Sequence, residues 1–230
     1  MPTPSSSDQR HTRDRILDAA ENVFMEFGYE GASIRRITSD AGVNLAAGNY
    51  HFGSKEALFQ AVLGRRLQAL NQERLRLLDE LEAKANGAPL KASQIVEAFF
   101  GALFRIGHEP GGETFLRLLG RTLTEPAEFI RAVLAKEYAN VSERYQQALY
   151  RALPEVPKDE ILWRFHFMLG ATSYAIAGTS VLSIVTDEWT NHSDDAELLM
   201  PRLMSFLLGG LRAPLPDFNN DKLDSNRKPS

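Results

Sequence analysis

The sequence predicts an all-α protein, and three observations carry that reading. Apolar residues recur at helical spacing along most of the chain. Few stretches alternate apolar and polar with period two, and runs of β-branched residues are scarce. Gly, Pro and capping residues punctuate the chain at intervals that suit helices of ordinary length. The 230 residues are 43% hydrophobic and 24% charged, enough for a sizeable core in one large or two modest domains. No internal repeat is visible.

The elements follow in order. Residues 1–11 are polar, rich in Pro and Ser near the start, and read as a disordered arm. Over 12–27, Ile16, Ala20, Phe24 and Phe27 form one apolar face of a first helix, and Gly28 stops it. Ser33 caps a short helix over 34–41, ended by Gly42. Asn44 caps another over 45–50. Ser54 caps a fourth, long helix, with Glu56 near its positive end and Leu58, Val62, Leu70, Leu77 and Leu81 along one face. Gly87 and Pro89 break the chain before a fifth helix over 92–106. Pro110, Gly111 and Gly112 precede a sixth over 114–122, and Pro126 suits the first position of a seventh running to about Leu153. Pro154 and Pro157 separate it from an eighth over 159–185. The last helix, 198–211, contains Pro201, which implies a late start or a kink. Residues 214–230 read as a disordered tail. The domain division is therefore three helices over 12–54 and a larger helical domain over 55–213, between arm and tail.

Several functions are excluded by composition. There is no cysteine, hence no disulfide, thiolate nucleophile or cysteine-rich metal site. The histidines, His11, His51, His108, His166 and His192, show no metal-ligand spacing. No phosphate-binding G-x-x-x-x-G-K or G-x-S-x-G elbow is present. Neither an enzyme nor a cofactor is expected. The first ten residues lack an apolar core of a secretory signal, so a cytoplasmic protein is expected. Residues 167–186 carry no charge and approach a membrane span in length. Thr172, Ser173, Thr179, Ser180, Ser183 and Thr186 make the segment too polar, and no membrane partner is expected. Ala171, Ala175 and Gly178 form a small-residue stripe that lets another helix approach closely. It is either core within one subunit or, the favoured reading, a subunit interface with the last helix, where Phe206 and Leu207 need cover.

The two short helices joined by Gly42, Val43 and Asn44 fit a helix-turn-helix. Ile34, Ile37 and Ala41 share a face against which Leu45 can pack. Ala46, Ala47 and Asn49 then point outward; small side chains allow close approach to base edges, and Asn can pair with adenine. Gly48 costs this helix roughly 1 kcal/mol against alanine, either as clearance for DNA or as a frayed turn. Taken alone, such a pair of helices also fits a helical scaffold that binds no DNA.

The ordered residues Ile16-Leu17-Asp18-Ala19-Ala20, Phe24, Phe27-Gly28-Tyr29, Ser33-Ile34-Arg35-Arg36-Ile37, Ala41-Gly42-Val43 and Tyr50-His51-Phe52-Gly53-Ser54-Lys55-Glu56-Ala57-Leu58 resemble the DNA-binding domain of the TetR (tetracycline repressor) family. The resemblance covers about a fifth of the chain. It implies that the 45–50 helix enters the major groove of a palindromic operator. Arg35, Asn44, Ala46, Ala47, Asn49, Tyr50, His51 and Lys55 are then the DNA-contacting set, with Lys55 on a phosphate at a helix N-terminus. Asn49 stands where the family often has an aromatic residue, which favours a polar base contact there. The resemblance also implies a homodimer, with Ala171, Ala175, Gly178, Phe206 and Leu207 at its interface, and a ligand-responsive repressor. Val43 to Ala47, Asn49 to Lys55 and Trp163 to Ala171 are similar to the PsrA-type subgroup, associated with fatty-acyl responses. A small apolar effector, a fatty acid or acyl-CoA, is the corresponding expectation.

Charge does not by itself announce DNA binding. The net charge is −4. Residues 1–66 hold eight Arg or Lys against eight Asp or Glu, so binding must use segregated charge and helix ends. In the larger domain, Phe99, Phe100, Leu103, Phe104, Phe115, Leu118 and Leu119 crowd two neighbouring helices, as ordinary core or as the wall of an apolar cavity. Arg117, Arg121 and His166 are the candidates for a polar head group there, or else structural polar groups.

Overall fold

The structure is a computed structural model that describes residues 6–109, 111–124, 128–178 and 196–216. Nine helices are present among the described residues: α1 Ser6–Gly31, α2 Ile34–Asp40, α3 Leu45–Phe52, α4 Lys55–Ala85, α5 Ala92–Gly107, α6 Gly112–Thr124, α7 Glu128–Ala152, α8 Lys158–Ile176 and α9 Ala196–Leu211. The expected all-α class holds, and no described residue lies in a strand.

The local chemistry accounts for most boundaries. Gly28 takes φ +69 and breaks the regular helix of α1 there, a conformation glycine adopts at little cost. Ser33, Asn44 and Ser54 are extended N-caps whose side-chain oxygens accept from Arg36 N, Ala47 N and Ala57 N, each filling one orphan donor of a first turn. Two helix ends depart from expectation, the start of α1 and the end of α8, which stops at Ile176 rather than running to 185. α1 begins at Ser6, so the second half of the expected disordered arm is helical. A polar composition alone does not distinguish a loop from the solvated start of a helix. The rest of that arm, the expected tail from 217 and the eighth helix beyond Gly178 lie outside the described residues.

Two packing units share one helix. α1, α2 and α3 close over Ile16, Ala20, Phe24, Ile37, Leu58 and Phe59, all 1% exposed or less. Burial of each such large apolar side chain contributes roughly 1.5–3 kcal/mol. α4 leaves this unit and packs against α5 and α7, while α6 lies on α8 and α9 on α5 and α8. α4 is therefore the structural link between the two halves. An ion-pair cluster centred on the buried Glu21 fastens it to α1: Glu21 accepts from Arg65 at 2.6 Å and from Arg66 Nε at 2.7 Å, and Arg65 also reaches the exposed Asp18 at 2.7 Å.

Candidate nucleic-acid interface and the larger domain

The α2–α3 pair is held from three sides. Arg15 of α1 donates to Ala41 O at 2.5 Å and Gly42 O at 3.2 Å, closing the C-terminal end of α2. Gly42 takes φ +63 in the turn. Gly48 is buried against α2, where a Cβ would stand 2.6 Å from Thr38 Cγ2 and 3.2 Å from Ile34 Cγ2. The glycine therefore provides clearance for α2, and neither clearance for DNA nor fraying explains it. With the helices this close, Leu45 is turned out: it is 46% exposed rather than packed on Ile34, Ile37 and Ala41. Val43 takes the packing role.

The outward surface consists of Leu45, Ala46, Asn49 and Tyr50, with Tyr50 74% exposed. Ala47 is half-buried. Asn44 is exposed, but its Oδ1 is committed to the cap at 2.8 Å, leaving its amide NH₂ for an outside partner. His51 is half-buried and meets the Tyr50 ring edge-on at 5.2 Å. Arg35 is exposed on α2, whereas its neighbour Arg36 lies over the Phe27 ring at 3.8 Å. Lys55 is more tied than the sequence suggested. Its ammonium donates to Tyr29 O at 2.9 Å and Ala32 O at 3.3 Å and lies 4.3 Å from the Tyr29 ring centre. It closes the end of α1 as well as standing at the start of α4. Next to it, the Tyr29 hydroxyl donates to Glu56 Oε1 at 2.9 Å. Burial and this bond push the Tyr29 phenol up to about 12. Bonds from the α4 backbone and from Tyr29 hold the Glu56 carboxyl below its ordinary range.

In the larger domain, Phe99, Leu103, Phe104 and Phe115 are all buried in the core. The expected head-group candidates are not gathered around them. Arg117 pairs with Glu113 at 2.5 Å and is about half exposed. Arg121 is exposed and has a partner of its own. His166 is exposed on α8, edge-on to Trp163 at 5.8 Å, and so points away from the core. Two polar core residues were not anticipated. Arg74 on α4 is 1% exposed and Tyr145 on α7 fully buried. Arg74 donates to Phe99 O and Asn71 Oδ1, both at 3.0 Å, and the Tyr145 hydroxyl donates to Arg74 O at 2.6 Å. Burial pushes the Tyr145 phenol well above its ordinary value. Nothing in the periodicity distinguished Arg74 from the solvated arginines around it.

The expected interface residues divide. Ala171 and Ala175 are half-buried on α8, Leu207 is buried, and Phe206 is 68% exposed. Gly178 lies beyond the end of α8 at φ +66 and faces the Arg117 side chain. It does not extend the small-residue stripe, because the helix has already stopped. The exposed face of α8 is instead Trp163, Phe167, Gly170 and Tyr174. Their spacing makes one helical stripe, a signal present in the sequence beside the small residues of the same helix. Trp163, Phe167, Ala171, Phe206 and Gly210 border an apolar groove of about 720 Å³ between α8 and α9. Among the described residues no His, Asp or Glu cluster could hold a metal ion, and no helix is long and apolar enough to cross a membrane.

Similarity to known proteins agrees with this anatomy. Residues 16–62 match the family model described as bacterial regulatory proteins, tetR family. Residues 97–210 match the tetracyclin repressor-like C-terminal domain. Over 62 residues the chain is 40% identical to the HTH-type transcriptional repressor AcnR of Corynebacterium diphtheriae, a match spanning 27% of this chain and 33% of that relative. It is 26% identical over 141 residues to the HTH-type transcriptional regulator UidR of Escherichia coli K12, spanning 60% of this chain and 64% of the relative. Among solved structures, the fatty acid degradation regulator FadR of Bacillus halodurans aligns with a TM-score of 0.56 at 18% identity, over 93% of this chain and all of that one. Reduced NemR of E. coli aligns with a TM-score of 0.58 at 17% identity, over 85% and 94%. With a capped helix-turn-helix at one end, a helical domain at the other and both family models matched in order, the chain belongs to the tetR family of DNA-binding bacterial regulators.

Proposed function

We propose that the protein is a repressor that binds a palindromic operator as a homodimer through α3 and leaves it when a small apolar effector, of the fatty-acyl class, occupies the larger domain. The observation that carries the DNA part is the surface of α3. Leu45, Ala46, Asn49 and Tyr50 stand exposed on a helix whose caps and packing are otherwise complete. Asn49 is the base-reading residue, suited to adenine, and Arg35, Asn44, Ala47, Tyr50, His51 and Lys55 flank it. Lys55 keeps N–H capacity beyond its carbonyl contacts, and the N-terminal amides of α4 add to its pull on a phosphate. The dimer is supported by the exposed aromatic stripe of α8 beside Phe206, which two copies would bury as a four-helix interface. Two-fold symmetry then places the recognition helices about 34–36 Å apart. Repression is supported by the role named for the AcnR relative. The effector reading rests on the aromatic-rich α5 and the PsrA-type resemblance.

The test is selection of genomic fragments by the purified protein, followed by mobility shift. A two-fold symmetric site is expected, and selection of nothing above background would remove the reading. Asn49→Ala should relax preference at one base pair. Lys55→Ala should weaken all sequences alike and lower the salt slope by about 1.

A further inference from the structure

α3 carries no Asp, Glu, Lys or Arg. On its exposed side Asn49 and Tyr50 offer hydrogen-bonding groups, while Leu45 and Ala46 offer only methyl groups. A single exposed leucine means little by itself. Here, among the described residues up to Arg66, two large apolar side chains are exposed, Leu45 and Tyr50, and both lie on α3. Packing on the core is done by Val43 rather than by Leu45. The N-terminus of α3 is closed by Asn44 Oδ1, which accepts from Ala47 N at 2.8 Å. Leu45 is also the first residue of α3, and in a helix-turn-helix the N-terminal residues of the second helix are the ones that reach base edges. Asn49 follows one turn later, so the two side chains share a face, with Cβ atoms about 5–6 Å apart.

The major groove displays one apolar landmark, the C5-methyl group of thymine. We infer that Leu45 is a specificity-determining residue that packs on a thymine methyl, one or two base steps of about 3.4 Å from the adenine read by Asn49. This rests on the DNA reading above and deepens it by naming the base pairs: two A·T pairs lie under α3 in each half-site. Leu45 discriminates in two ways. Burying the methyl against its isobutyl group is favourable. Cytosine in the same place lacks the methyl and presents an amino donor that a leucine cannot satisfy. With no Lys or Arg on α3, neutralising phosphates falls to side chains of the flanking helices, such as Arg35 on α2 and Lys55 on α4. α3 is left to read bases by shape and by the Asn49 amide.

The probe is the duplex recovered by the genomic selection, remade with deoxyuridine in place of one thymine at a time, in both half-sites together. Deoxyuridine lacks the methyl and keeps every hydrogen-bonding group of thymine. The full-length protein should lose about fourfold in Kd per half-site at one thymine, and more than about tenfold for the pair, as burial of a single methyl implies. Leu45→Ala should bind the thymine and deoxyuridine duplexes equally at that position and keep its preference at the Asn49 base pair. Melting curves establish that this variant folds. Should it not fold, the wild type decides by position: the sensitive thymine should lie one or two steps from the pair at which Asn49→Ala relaxes preference. A symmetric site bound with no methyl-sensitive thymine there would overturn the role of Leu45 and leave operator binding standing. Methyl sensitivity unchanged in Leu45→Ala would also overturn it and move the contact to Ala46. Selection of no site would remove the DNA reading and this inference together.

Discussion

The α2–α3 unit and the α8–α9 face solve the problem of apolar surface in opposite ways. In the first, every closure lies within one chain: caps on Ser33 and Asn44, Arg15 on the end of α2, and a glycine where α3 presses on Thr38. What it leaves exposed on α3 is the narrow strip of Leu45, Ala46, Asn49 and Tyr50. In the second, the buried side of α8 is finished but the outer side is not, and Trp163 at 57% and Phe206 at 68% exposure stand beside an apolar groove. The difference teaches that one unit closes its apolar surface within the chain while the other leaves an apolar face and groove exposed.

The sharpest way to break the comparison is a charge on the unfinished side. Phe167→Asp should leave a folded subunit, since Phe167 is largely exposed. It should weaken self-association by about 3 kcal/mol or more, as interface aromatics do when lost, and operator affinity with it. Sedimentation at micromolar concentration reads this; an unchanged dimer would place the interface elsewhere. On the finished side, Gly48→Val should cost roughly 1–3 kcal/mol of overpacking, because even its Cβ falls 2.6 Å from Thr38 Cγ2. Thermal melting should fall together with DNA binding while the dimer persists.

A third test concerns the junction between the halves. The Tyr145 phenol has a folded-state value raised by burial above the ordinary one near 10. Its contribution to stability is therefore fully present below pH about 10 and is lost as pH rises from there toward the folded value. Tyr145→Phe should flatten that alkaline loss in melting curves, at the cost of the bond to Arg74 O. The smallest effect is expected at Thr172, whose Oγ1 is buried with no hydrogen-bond partner among the described residues. Thr172→Val should raise stability by up to about 1 kcal/mol, visible as a modest increase in melting temperature.

What was legible in the sequence follows the same division. Gly28, Ser33, Gly42, Asn44 and Ser54 were readable because capping and positive φ depend on neighbours within a few residues. The outward set of α3 was nearly so, yet Leu45 and Gly48 exchanged the roles expected of them. Their facing depends on how closely α2 lies, which no local pattern states. In the larger domain the helices were visible but their facings were not. His166 on an apolar helix reads as a core residue until α8 is placed with that side outward. Gly178 fits the stripe only if the helix continues, and it stops at Ile176. Arg74 was invisible for the same reason, since burial of one arginine among many on a long helix is decided by what packs over it.

The contacts of Lys55 have a consequence for how such a molecule changes its address. The ammonium ties Tyr29 O and Ala32 O to the start of α4, and the Tyr29 hydroxyl ties the same end of α1 to Glu56. The chain between, 33–54, is thus spliced in at a single clasp whose two halves lie outside it. It is seated on Arg15 and, through Ile37 and Ala41, in the core it shares with α1 and α4. A segment bounded in this way can be exchanged as a unit. Residues 33–54 from another member, entered at Ala32 and left at Lys55, meet a socket already shaped by the host. On the function proposed above, new DNA preferences would then arise by replacing one short stretch while the larger domain, its connecting helix and the outer aromatic face stay as they are.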